Sequence, residues 1–99
     1  DWPDAEGPAD KLREEMQELA EARDDAHRAE EAGDMLFAAV NLVRKFGIAP
    51  EEALRAANAK FERRFRGMEA LATAQHQDFS ALDLDAQEAL WQVVKRSER

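Results

Sequence analysis

Cysteine is absent from the 99 residues, which excludes disulfides and thiolate metal centres alike. Long apolar runs are missing as well, since no segment approaches the roughly 18 apolar residues that a membrane span requires. No apolar signal-peptide core stands near the N-terminus. The resulting expectation is a cytoplasmic protein that does not engage a membrane. Bases are in the minority, 14 Lys plus Arg against 22 Asp plus Glu, for a formal net charge of -8. That balance argues against nucleic acid as a partner, and a polyanionic ligand would need a cation as mediator. Alternating runs of period two, internal repeats and low-complexity tracts are also lacking, so nothing signals a strand.

What is present is helical periodicity. The opening Asp1-Trp2-Pro3-Asp4-Ala5-Glu6-Gly7 leads into Pro8 with two of the three prolines, and residues 1–7 read as an irregular lead-in. From about Pro8 to Arg23, Leu12, Met16, Leu19 and Ala20 recur at helical spacing. A polar stretch around Asp24, Asp25 and His27 precedes a second helix, from about Ala26 to Phe46, that is apolar almost all round. Gly47 and Pro50 then mark a stop and a restart, with Glu51 and Glu52 near the positive dipole end. The third helix runs to about Ala74, with Leu54, Ala57, Phe61, Phe65, Met68 and Ala72 on one face. Asp83, more than Ser80, suits the cap of a fourth helix carrying Leu84, Leu90, Trp91 and Val94. The fold class expected is all-α, a four-helix antiparallel bundle over residues 8–99. A chain this short, with a helix more apolar than one neighbour can cover, is expected to form a homodimer.

Carboxylates carry the chemistry. Residues three apart share a helix face, and each of the first two helices offers such a pair. On the first, Glu15 falls beside the apolar arc, Glu18 further off and Glu14 furthest round, so Glu15 and Glu18 form the better inward pair. On the second, Glu31 and Asp34 share a stripe with Ala38, Asn41 and Lys45. A lone Glu-Glu-x-x-Glu is ordinarily a solvated face, but a second pair on an apolar helix is costly unless protonated, paired with bases or bound to cations. Oxygen donors favour Mg²⁺, with Mn²⁺ or Ca²⁺ as alternatives, and the lack of a Glu-x-x-His pair argues against a di-iron site. Gly33, inside a helix, suggests close packing or ligand approach.

Taken together, Glu14-Glu15-x-x-Glu18, a spacer of 12 residues and Glu31-x-x-Asp34-x-Leu36-Phe37-Ala38 resemble the MazG family of all-α nucleoside triphosphate pyrophosphohydrolases. The likeness continues through Asn41-Leu42-Val43-Arg44, Gly47-Ile48-Ala49-Pro50-Glu51-Glu52-Ala53-Leu54, Ala57-Asn58-Ala59-Lys60-Phe61-Glu62-Arg63-Arg64-Phe65 and Trp91-Gln92-x-Val94-Lys95, similar to the family's second, catalytic domain. By position, the resemblance implies that Glu15, Glu18, Glu31 and Asp34 are Mg²⁺ ligands and catalytic residues. It implies nucleotide contacts for Asn58, Lys60, Arg64, Trp91 and Lys95, and a homodimer with sites near subunit contacts. The run Asp1-Trp2-Pro3-Asp4 looks like the lead into the second domain of tandem members, so the chain is expected to be a fragment of such a protein or a short relative.

The residues by themselves say less about the substrate. Lys60 and Arg64, four apart at one edge of the third helix's seam, suit phosphate oxygens, while Arg63 and Arg66 read as solvated. Asn58 falls inside the apolar arc as a buried amide that needs partners, either backbone or ligand. Trp91 could stack a base or simply fill a core, and Lys95 shares its stripe. His27 and His76 have no partner motif and are assigned no role. Without a Ser, Cys or His nucleophile, the expected reaction is in-line attack of metal-activated water on the α-phosphorus of a nucleoside triphosphate, yielding a monophosphate and pyrophosphate. Glu18 or Glu15 would serve as general base. Two rivals are a non-catalytic helical dimerisation module, and a related pyrophosphohydrolase specialised for dUTP or phosphoribosyl-ATP.

Overall fold

The structure, a computed structural model, describes residues 3–98; Asp1 and Trp2 of the lead-in lie outside them. A 3-10 turn at Pro3–Ala5 runs into α1 (Glu6–Ala20), followed by α2 (Asp25–Lys45), α3 (Pro50–Ala74), a second 3-10 turn at Phe79–Ala81 and α4 (Leu84–Ser97). The all-α class and the four helices expected from periodicity are observed, and no strand occurs among the described residues. The start of α1 differs, since helical structure begins before Pro8. Proline fits a first turn, where its missing N–H costs nothing, but it does not have to be the first helical residue.

Local chemistry accounts for the other ends. Asp24 opens α2 by accepting a hydrogen bond from the His27 N–H, and Asp83 opens α4 by accepting one from Ala86 N–H. Ser80 does not cap that helix; it donates through Oγ to Asp78, which holds the short turn before it. Gly47 follows α2 with φ +74, the left-handed conformation that glycine adopts without a Cβ penalty.

The chain divides into two compact units, residues 1–53 and 54–99. In the first, α1 and α2 form an antiparallel hairpin, which brings Glu15 to Glu31 and Asp34 and sets Lys11 in one cleft with Asn41. Its buried residues are few, Ala5, Glu15 and Ala38. Met16, placed on the core face by periodicity, is 52% exposed, and Leu36 and Phe37 of α2 are 61% and 69% exposed. In the second unit, Met68 and Ala72 of α3 are buried against Leu90 and Val94 of α4, with Leu71, Phe79, Leu82 and Trp91 around them. Gly67 allows that approach, because a Cβ there would stand 3.3 Å from Val94 Cγ2. Gly33 shows no such reason, since nothing lies within 4 Å of the place its Cβ would occupy. The expected close packing at Gly33 is therefore not found among the described residues.

Candidate functional site

The hairpin turn fixes the register between α1 and α2, and that register determines which acids meet. Oxygens of Glu15, Glu31 and Asp34 lie within 4.8 Å of one another, as do oxygens of Glu14, Glu15 and Glu18. Glu15 belongs to both groups and is buried, while Glu31 is half-buried and Glu18 and Asp34 are exposed. Burial is only partly offset by bases on the same helices. Lys11 Nζ stands 2.8 Å from Glu15 Oε1 and 3.7 Å from Glu14 Oε1, and His27 Nε2 stands 3.3 Å from Glu31 Oε1. The second oxygens, Glu15 Oε2 and Glu31 Oε2, are buried with no hydrogen-bond partner. Buried carboxylate oxygens without partners, on two acids that meet from facing helices, are costly by themselves and are satisfied by a hard cation.

Electrostatics within the cluster follow from this crowding. The Glu18 carboxyl is held above its usual range, first by the charge of Glu15, then by partial desolvation and by the charge and hydrogen bonding of Glu31. Lys11 is held above the usual ammonium range, mainly by its hydrogen bond to Glu15 and then by the charges of Glu14 and Glu15. A group of oxygen donors of this kind fits Mg²⁺ or Mn²⁺, and no thiolate competes for a softer ion.

The acids nominated from sequence are thus brought together around Glu15. Lys11 and His27 were not nominated, although each stands four residues from an acid on the same helix face, and that spacing was the available signal. Glu14, placed furthest round the wheel, nevertheless brings an oxygen within reach of Glu15 and Glu18.

The residues nominated for nucleotide contact lie in the second unit. Arg64 and Trp91 are brought together, with the guanidinium carbon 5.4 Å from the indole centroid, and Phe61 stands 5.8 Å from the same ring. Arg64 Nε also donates to Glu98 Oε1 at 2.9 Å, and Arg63 reaches the other oxygen at 3.4 Å. Arg63 is therefore an ion-pair partner as well as a solvated base. Lys95 is half-buried one turn beyond Trp91, whereas Lys60 is exposed. Asn58 is exposed too, not buried as the helical wheel suggested. The seam around it, Leu54 and Phe61, is itself largely exposed, so the periodicity marked an apolar face that the chain does not cover. Trp91 flanks a cleft with Phe61, Phe65, Met68, Phe79 and Leu84, and its half-buried ring serves core and cleft together.

Comparison with known proteins finds similarity to pyrophosphohydrolases. The family model described as phosphoribosyl-ATP pyrophosphohydrolase matches residues 4–61, which include the whole acidic hairpin. The chain is similar to the nucleoside triphosphate pyrophosphohydrolase of Escherichia coli strain K12, 46% identical over 99% of this chain and 39% of that protein. It is similar to the nucleoside triphosphate pyrophosphohydrolase/pyrophosphatase MazG of Thermotoga maritima, 41% identical over 96% of this chain and 37% of that protein. A third relative, the uncharacterized protein YabN of Bacillus subtilis, is 42% identical over 70% of this chain and 14% of its own length. The chain thus spans less than two-fifths of the length of the relatives it matches.

Proposed function

Because this chain belongs to the phosphoribosyl-ATP pyrophosphohydrolase family, with a MazG enzyme among its relatives, we propose that it is a Mg²⁺-dependent hydrolase converting nucleoside triphosphates to monophosphate and pyrophosphate. The observation that carries this reading is the convergence of Glu15, Glu31 and Asp34 with two buried carboxylate oxygens left without partners. Glu15, Glu18, Glu31 and Asp34 would hold the metal, with Mn²⁺ as a substitute. Bound there, the cation supplies neutralisation of the phosphate chain and polarisation of water.

The chain's own groups then have defined tasks. Glu18 or Glu15, whichever keeps an oxygen free of the metal, accepts the proton as water oxygen bonds to the α-phosphorus. The bond from that phosphorus to the bridging oxygen breaks, and its electron pair leaves with pyrophosphate. Lys11 orients Glu15 by a short hydrogen bond, and His27 orients Glu31. Asn58, Lys60, Arg64, Trp91 and Lys95 contact the nucleotide, for which Arg64 would exchange Glu98 for phosphate. The helices from Glu6 onward, rather than from Pro8, act in a cytoplasmic homodimer that binds neither nucleic acid nor membrane. No described helix is long and apolar enough to cross a membrane.

Relatives named nucleoside triphosphate pyrophosphohydrolase favour broad triphosphate use over specialisation for dUTP or phosphoribosyl-ATP. A purely structural dimerisation module would leave the orphaned oxygens of Glu15 and Glu31 unexplained. Pyrophosphate release should require Mg²⁺, stop with chelator, and fall by at least about a hundredfold in Glu31→Gln with helicity unchanged. Wild-type turnover in that variant would remove Glu31 from the site.

A further inference from the structure

The groove between α1 and α2 changes sign along its length. Near the turn it is lined by Glu18, Glu21 and Glu31, with Arg23 and His27 as the bases there. Glu15, Glu31 and Asp34 occupy its middle. Towards the open end of the hairpin it becomes a cleft of about 560 Å³ lined by Lys11, Asn41, Arg44 and Lys45, with Gly7 and Pro8 from the first turn of α1 and no carboxylate.

Several observations mark this end as more than charged surface. Arg44 and Lys45 stand in the last turn of α2, where cations ordinarily offset the helix dipole. That role does not require them to share a cleft with Lys11 of the facing helix. Neither makes an ion pair among the described residues, in a chain where acids outnumber bases by 22 to 14. Unpaired cations surrounded by that excess are available to an anion. Gly7 and Pro8 of the first turn of α1 border the same space, and nothing lies within 4 Å of where a Gly7 Cβ would stand, so a ligand can approach the backbone there.

We infer that the cleft of Lys11, Asn41, Arg44 and Lys45 receives the leaving pyrophosphate end of the substrate and so sets the direction in which a triphosphate lies along the hairpin. This rests on reading the acidic cluster as a pyrophosphohydrolase centre. With the α-phosphorus at Glu15, Glu31 and Asp34, the β- and γ-phosphates extend towards the basic end. From Asp34 to Asn41 is about two helical turns, roughly 10 Å, a span that two further phosphoryl groups and an extended Lys or Arg side chain close between them. The opposite direction would drive the most highly charged part of the substrate towards Glu18 and Glu21. In-line geometry then places the attacking water on the Glu18 side, opposite the leaving oxygen. Water gives its proton to a carboxylate of the acidic cluster, and the electron pair of the broken bond leaves on pyrophosphate.

Inhibition by each product separates the two ends. Arg44→Gln with Lys45→Gln, both at exposed positions, should weaken inhibition by Mg²⁺-pyrophosphate by at least about tenfold while inhibition by nucleoside monophosphate stays within about twofold. Calorimetric titration with Mg²⁺-pyrophosphate should show the same loss without turnover, and titration with Mg²⁺ alone should be unaffected. Arg44→Lys, which keeps the charge, should restore part of the affinity when combined with native Lys45. Selective loss of monophosphate inhibition, or unchanged pyrophosphate affinity in a variant of wild-type helicity, would overturn the orientation while leaving hydrolysis intact. A wild-type chain that neither hydrolyses triphosphates nor binds pyrophosphate would overturn the centre itself.

Discussion

Glu15 concentrates the chemistry of the first unit in one side chain. Its position beside the apolar arc was legible from spacing, because a helix advances about 100° per residue. Its two oxygens were not, since one is bound by Lys11 and the other has no partner. Replacing it with glutamine removes a buried carboxylate whose second oxygen has no partner. We expect Glu15→Gln to melt no lower than wild type without Mg²⁺ but to lose the rise in Tm that saturating Mg²⁺ produces through preferential binding to the folded state. An undiminished Mg²⁺-induced rise would show that Glu15 is no ligand. Glu98 makes a second case. The hydrogen bond from Arg64, together with the charges of Arg64 and Arg63, holds its carboxyl below the ordinary value of 4.5 against some desolvation. A depressed folded pKa contributes stability that is present above the unfolded value and lost as pH falls through the folded one. Thermal melts across the acid range should therefore fall less steeply below about pH 4.5 for Glu98→Gln than for wild type, with parallel curves above it.

At the scale of the element, the helix boundaries were readable because single residues produce them. Asp24 and Asp83 accept from the backbone of the first turns they precede, and Gly47 takes the left-handed conformation behind α2. Two glycines inside helices look alike in sequence and differ in the structure. Gly33 has open space at its Cβ direction, so Gly33→Ala should stabilise the chain by up to about 1 kcal/mol through helix propensity and reduced freedom of the unfolded chain. Gly67 faces the β-branched side chain of Val94 at 3.3 Å, so Gly67→Leu should destabilise by about 1–3 kcal/mol through overpacking of α3 against α4. Urea unfolding of the two variants tests both signs together. A destabilised Gly33→Ala would indicate that a partner or ligand approaches Gly33 after all.

For the whole molecule, the small buried core leaves a question of what covers its apolar faces. Leu36 and Phe37 on α2 are 61% and 69% exposed although their helix is apolar on most sides. A second copy packing there would remove that surface from water, which is the physical basis of the proposed homodimer. Sedimentation should show a concentration-dependent dimer, and Phe37→Asp should shift it to monomer while leaving helicity in place. A wild-type chain that sediments as a monomer at high concentration would refute this arrangement.

Helix periodicity, the caps, the charge balance and the repeated acid spacing are local properties of the chain, so the all-α class and the nomination of Glu15, Glu18, Glu31 and Asp34 followed from the amino-acid sequence. Which oxygens of those acids converge depends on the register of α1 against α2, and no spacing within one helix can specify a contact between two. The pairs Lys11–Glu15 and His27–Glu31 lie within single helices and were legible as a spacing of four, but the same dependence hid the basic cleft formed when Arg44 and Lys45 come round to face Lys11, as the surroundings of α3 hid the exposure of Asn58. The cleft and that exposure were decided by tertiary structure, because burial and electrostatic surroundings are properties that folding assembles around a residue.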